Sequence, residues 1–213
     1  MKLYLSSYKF GDDPNKLAQL ASSNKRIALI ANALDFSNDT ERRLASEQKQ
    51  IDGLKDLGFE PELLDLRDYF GDMEGLRSKL DEFGGLWVIG GNAFLLRSAM
   101  AESGLDKILI EYKNRSDKTE FLYAGFSAGA CVLAPSLKGI ELADEPEKVT
   151  EVYGKEIVWE GIGLIDYSIA PHFDSDHPES EMINEAIKYF KHEGIPYKPL
   201  RDGEVIISET KLR

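Results

Sequence analysis

An α/β fold, a doubly wound and mostly parallel sheet with helices on both faces, is the class this sequence predicts. Three observations carry the prediction. Short β-branched or aromatic runs alternate with longer amphipathic stretches. The connections between them are short, as they are where helices cross over between parallel strands. The length of 213 residues suits one large domain with a well-buried core and is short for two. No repeat, low-complexity tract or linker interrupts the pattern, so a single domain, 1–213, is expected.

KLYLSSY (2–8) reads as the first strand, and DPNKLAQLAS (13–22) has helical spacing. RIALIANAL (26–34) is a nearly unbroken apolar run, the pattern of a strand buried on both faces. A long helix follows: Ser37 or Asn38 can cap it, Leu44, Ile51, Leu54 and Leu57 give it an apolar face, and Gly58 ends it. FEPELLDL (59–66) is a strand, 71–83 a helix, and GLWVIGGN (85–92) a strand running into a glycine turn. Residues 94–115 are helical with a break at Gly104, and EFLYAGF (120–126) is again a strand. Beyond Pro135 the pattern loosens. Residues 139–164 read as loop with one strand near EIVW, SIAPHF (168–173) as a strand end, 177–194 as a helix and EVIISET (204–210) as the last strand.

The 38 acidic residues outnumber the 26 basic ones and are scattered along the chain. The resulting charge of −12 repels phosphates, which argues against nucleic acid or anionic membrane as partners. A single cysteine, Cys131, excludes an internal disulfide. The first residues lack the apolar core of about 7–15 residues that a signal peptide needs, and no run approaches the about 18 apolar residues of a membrane span. A cytoplasmic protein is expected.

In an open α/β sheet, chemistry sits beyond the carboxyl ends of the strands. Two unusual segments fall there: Gly90-Gly91-Asn92, and Gly125-Phe126-Ser127-Ala128-Gly129-Ala130. The second has the G-x-S-x-G form of a nucleophile elbow, a sharp strand-to-helix turn that pushes the serine hydroxyl clear of the backbone. Its small neighbours let the helix pack close to the strand, and free amides at the helix start favour an oxyanion. The plainer alternative is that Ser127 only caps the helix.

A serine nucleophile needs a base, and the chain has three histidines. His192 falls in the last turn of a helix and His177 precedes Pro178 at a helix start, both structural positions. His172, in Ala170-Pro171-His172-Phe173, follows a strand-like run onto the same rim as Ser127 and is the best base. A carboxylate should orient it. Glu141, Asp144, Glu145 and Glu147 all lie between nucleophile and base, the α/β-hydrolase chain order, and spacing does not choose among them. His172, Asp174, Asp176 and His177 also form a compact set of metal-ligand types, which makes metal-assisted hydrolysis a competing reading. Cys131, one helical turn after Ser127, reads as core filler.

GFSAGA (125–130) followed by VLAP, the GGN turn (90–92), and PHF preceded by GIGLIDYSIA (161–173) together resemble the S51 serine peptidases. That family includes dipeptidase E, an aspartyl dipeptidase, and the more distant cyanophycinases. The resemblance spans nearly the whole chain. It implies a fold similar to class I glutamine amidotransferases, with serine in place of their cysteine. It assigns Ser127 as nucleophile, His172 as base and the Gly91 and Ala128 amides as the oxyanion hole, Gly91 leaving its amide open to substrate. For the third member it points to Asp144, with Glu145 as the alternative. A preference for Asp-Xaa dipeptides would need a cationic pocket, for which Arg97 and Lys138 are candidates by neighbourhood. It implies no metal or organic cofactor, a small peptide substrate, and a homodimer as the expected assembly.

Overall fold

The computed structural model describes residues 1–118 and 120–209. Its strands are β1 (Lys2–Ser6), β2 (Arg26–Ile30), β3 (Glu60–Leu63), β4 (Gly85–Val88), β5 (Leu122–Phe126), β6 (Ser168–Ala170), β7 (Tyr197–Pro199) and β8 (Val205–Glu209). Six of them form the central sheet in the order β3-β2-β4-β5-β1-β8, and β6 and β7 form a separate parallel pair. β3 through β1 are parallel, while β8 runs antiparallel along the free edge of β1. Thr210, the last residue of the expected final strand, lies outside the described residues.

Side chains alternate across the sheet and both faces are covered, as the unbroken apolar strands require. Leu3, Leu5, Ala28, Ile30, Leu86, Val88 and Tyr123 point into one core. It is closed by α3 (Met73–Leu80), α4 (Ala93–Ser103), α5 (Leu105–Asn114), α6 (Ala128–Cys131), α7 (Lys148–Tyr153) and α8 (Ser180–Glu193). Tyr4, Ile27, Leu29, Trp87, Ile89 and Ala124 point into the other, closed by α1 (Asn15–Leu20) and α2 (Thr40–Asp56). The expected break at Gly104 is present: its φ of 78° is left-handed, a conformation glycine adopts without steric penalty, and it joins α4 to α5. No helix among the described residues is long and apolar enough to cross a membrane.

Three local expectations change. The α2 cap is Asp39, whose carboxylate accepts the Arg42 N–H, rather than Ser37 or Asn38. The buried face of α2 is also more polar than its leucines suggested: Leu44 is 57% exposed, while Gln50 is buried and accepts the Trp87 indole N–H at 3.0 Å. The expected strand at EIVW does not form. Ile157 and Trp159 pack on the core, and among the described residues the strand pairing of this segment is limited to an isolated Ser136–Glu160 bridge.

Candidate active site

β1 and β5 end side by side, Ser6 opposite Phe126. The next residue, Ser127, leaves the strand with φ 48° and ψ −116° before α6 begins. Backbone of this kind costs on the order of 1–3 kcal/mol for a residue with a β-carbon, so the surroundings must enforce it. They do: the Ser127 N–H donates to Ser6 O at 3.2 Å, and its carbonyl accepts from Ala130 and Cys131 N–H at 2.8 and 2.9 Å. The hydroxyl caps nothing and has no hydrogen-bond partner among the described residues, so the capping alternative is not what the side chain does. α6 is only four residues long, so free amides rather than a long helix dipole are what this turn offers a negative charge.

The small residues around Ser127 have a steric cause. A β-carbon on Gly129 would lie 2.3 Å from the Val88 carbonyl, and one on Gly125 2.9 Å from it, because α6 starts directly against the end of β4. The glycine turn after β4 packs against the serine, with a β-carbon on Gly90 reaching within 3.0 Å of Ser127 Cβ. Gly91 has φ 141°, and its β-carbon would meet the Ala33 carbonyl at 2.5 Å. Glycine is thus needed here for the chain's own backbone, where the sequence had suggested room for substrate. The Gly91 and Ala128 N–H groups donate to no acceptor among the described residues. Gly91→Ala is expected to destabilise the fold by about 2–3 kcal/mol through strain and the Ala33 clash, measurable as a lowered urea midpoint.

His172 is placed by the small sheet. β6 and β7 pair in parallel with Ala170 opposite Pro199, so the chains leaving them, with His172 on one and Asp202 on the other, emerge together. The imidazole is 1% exposed, and its Nδ1 bonds Asp202 Oδ1 at 2.7 Å. Ser7 Oγ accepts the His172 backbone N–H at 2.7 Å and reaches Asp202 Oδ1 at 2.8 Å, tying both to the end of β1. The Tyr8 ring meets Phe126 and His172 edge-on, with centroids 6.3 and 5.9 Å apart. Three consecutive residues, Ser6, Ser7 and Tyr8, therefore hold the serine turn and the histidine on one rim. Burial pushes the His172 pKa below its ordinary value, partly offset by the Asp202 hydrogen bond. The neutral ring with Nδ1–H toward Asp202 leaves an Nε2 lone pair able to take a proton.

The carboxylate on His172 is thus Asp202, not Asp144 or Glu145. The sequence reading looked for an acid between nucleophile and base. The one found lies beyond both, in an Asp-Gly turn that by itself signals only a turn. Asp144 does something else: Oδ2 accepts the Ala93 N–H at 2.8 Å at the start of α4, while Asn92 Nδ2 donates to the Glu145 carbonyl at 2.9 Å. These two bonds pin the 141–147 loop to the GGN turn. Burial raises the Asp144 pKa to about 7, with the Glu179 and Glu145 charges adding to it. A carboxyl whose folded pKa lies above its unfolded value lends the fold stability that is lost as pH rises from about 4 through 7. Asp144→Asn, which keeps an acceptor for Ala93, is expected to raise the melting temperature at pH 8, with the gain vanishing toward pH 4.

Beside Gly91 opens a cavity of about 450 Å³, lined by Phe36, Asn92, Met182 and the carboxylates Glu141, Asp144, Glu145, Glu147 and Glu179. Among the described residues, no lysine or arginine lines it. Arg97 is buried in α4, with Nε on the Glu160 carbonyl at 2.7 Å and a guanidinium nitrogen 3.0 Å from Asp106, and Lys138 is exposed elsewhere. The metal-type set is also rearranged. Asp174 is drawn to Arg201 at 2.5 Å, and the donor atoms that lie within 4.8 Å of one another belong to His172, His177 and Glu179. Cys131 is buried with Sγ 3.5 Å from the Ile169 carbonyl, and His192 is exposed beside Glu193.

Among solved structures, the chain superposes on a candidate peptidase E from Listeria monocytogenes with TM-score 0.69, 24% identity and coverage of 99% of this chain and 98% of that one. A peptidase from an acI-B1 actinobacterium matches with TM-score 0.68 at 16% identity over 98% and 83% of the two chains. These place the fold. In sequence, an uncharacterized peptidase of Listeria monocytogenes is 27% identical over 74% of this chain and 71% of its own length. Peptidase E of Streptomyces coelicolor is 30% identical over 59% of this chain, a match that spans about half of that relative (49%). The model of peptidase family S51 matches residues 8–212, nearly the full length; the chain belongs to that family and is a serine-type peptidase.

Proposed function

We propose that the protein is a dipeptidase that cleaves short peptides through Ser127, His172 and Asp202. The observation that carries this reading is an uncapped serine hydroxyl held on a strained turn, on the same rim as a buried imidazole whose Nδ1 is fixed by a carboxylate. In the reaction Ser127 Oγ attacks the peptide carbonyl while His172 Nε2 takes its proton, and the Gly91 and Ala128 N–H groups receive the oxyanion. His172 then gives the proton to the leaving amine. Water activated by the same imidazole releases the acyl group. Asp202 keeps the proton of the resting ring on Nδ1 and stabilises the imidazolium.

The acidic cavity beside Gly91 favours neutral or cationic N-terminal residues and disfavours Asp-Xaa, since a substrate carboxylate would meet carboxylates and, among the described residues, no cation. A panel of Xaa-Ala dipeptides tests both parts. Turnover of several members, abolished in Ser127→Ala and weakest for Asp-Ala, is the expected outcome. Turnover that survives in Ser127→Ala would defeat the mechanism, and preference for Asp-Ala would defeat the specificity.

A further inference from the structure

One face of His172 is covered by a second imidazole. The ring of His177 lies 3.6 Å away, centroid to centroid, with 8° between the planes. The Ser-His-Asp scheme does not call for such a partner. His177 sits in the loop that joins β6 to α8, and its Nδ1 accepts the Glu179 N–H at 3.2 Å, so the neutral ring carries its proton on Nε2. The Tyr8 ring meets both imidazoles edge-on at 5.9 and 5.6 Å. Glu179 Oε2 is 3.8 Å from His172 Nε2.

A shared metal does not fit this stack. Parallel rings 3.6 Å apart keep their in-plane lone pairs in two separate planes, which share no point where one ion could lie in plane with both, and His177 Nδ1 is already occupied as an acceptor. What the stack does impose is a plane and a charge repulsion. The Asp202 bond fixes where Nδ1 points but leaves the ring free to tilt about that bond; a second flat ring against its face removes the tilt and so aims Nε2. Positive charge on a ring in face contact repels a second positive charge, which adds to the burial that lowers the His172 pKa.

We propose that His177 is a positioning residue for the general base: it holds the plane of the His172 ring by stacking and so keeps Nε2 aimed to take the proton from Ser127. The proposal rests on the reading of His172 as the base. The groups facing the pair are Asp202 at Nδ1 of His172, Glu179 near its Nε2, and Tyr8 at the edges of both rings, with the Lys9 ammonium 4.4 Å from the Tyr8 ring centre. Among these influences, burial first and then His177 lower the His172 pKa, while Asp202 and Glu179 raise it.

The test compares His177→Ala with His177→Phe, using the best dipeptide of the Xaa-Ala panel. His177→Ala is expected to lower kcat by about 10-fold or more with KM changed less than about 3-fold, and to move the acid limb of kcat/KM to higher pH. His177→Phe, which restores a flat face without a charge, is expected to recover most of kcat and to keep the shifted limb. Independently, the His172 ring proton shifts in Ser127→Ala are expected to carry the ring-current shift of a stacked imidazole, to lose it when His177→Ala is added and to regain a ring-current shift with His177→Phe. Unchanged kcat and unchanged acid limb in both variants, or His172 ring shifts that do not respond to His177→Ala, would overturn the proposal. Turnover surviving in Ser127→Ala would instead overturn the peptidase mechanism, and the ring-current shifts would still judge the stack.

Discussion

Ser127→Ala is expected to lower kcat on a cleaved dipeptide by about 10⁴-fold or more, because the attacking atom is gone and only binding and the oxyanion donors remain. The folded structure should not notice the change, since the hydroxyl has no hydrogen-bond partner among the described residues. Ser127→Gly sharpens the point. At φ 48° and ψ −116° a glycine relieves strain that serine and alanine both bear, so this variant should be more stable by about 1 kcal/mol and equally inactive. Urea unfolding and steady-state kinetics on the three proteins check the pair of effects. A Ser127→Ala enzyme with more than about a tenth of the wild-type kcat would remove the nucleophile from the scheme.

Asp202→Asn should cost about 10³–10⁴-fold in kcat, through the tautomer rather than through packing. The amide is nearly isosteric, but its NH₂ can donate to Nδ1 and so move the imidazole proton to Nε2, where it blocks acceptance of the serine proton. Asp144→Asn is expected to stay within about 10-fold of wild type, since an amide oxygen still accepts the Ala93 N–H that anchors the GGN turn. The two variants measured side by side decide which carboxylate serves the base, and the reverse ranking would return the role to Asp144. The pH profile follows the same geometry. Because burial lowers the His172 pKa, the ring remains neutral to lower pH than an exposed histidine, and kcat/KM should fall only below the ordinary value of about 6.5.

The serine turn and the glycine turn that the proposed mechanism uses were visible in the sequence because both are local. Gly125-Phe126-Ser127-Ala128-Gly129 and Gly90-Gly91-Asn92 announce their backbone demands in their own residues, and the apolar runs before them say where the strands end. His172 was legible by elimination, since only three histidines are available and only one follows a strand-like run. Asp202, Ser7, Tyr8 and Glu179 gave no such signal. Ser7 and Tyr8 fall in the first strand run (2–8), Glu179 falls inside the expected helix 177–194, and Asp202 belongs to an Asp-Gly pair that signals only a turn. Asp144 drew the assignment by lying in the expected order along the chain, whereas the acid on His172 arrives through β6–β7 pairing, and a three-residue strand such as Tyr197–Pro199 is too short to leave a periodicity.

The sequence alone determined the layering of this protein, since hydrophobic period and glycine punctuation act over a few residues and fix each strand, helix and tight turn where it stands. Only the tertiary structure decided which acid meets His172 and what covers its ring. Those neighbours, Asp202 from beyond β7, Ser7 and Tyr8 from the end of β1 and His177 from the loop before α8, are brought together by strand pairing and loop packing. Contacts between segments so far apart in the chain depend on register and direction in space, which no local pattern of residues encodes.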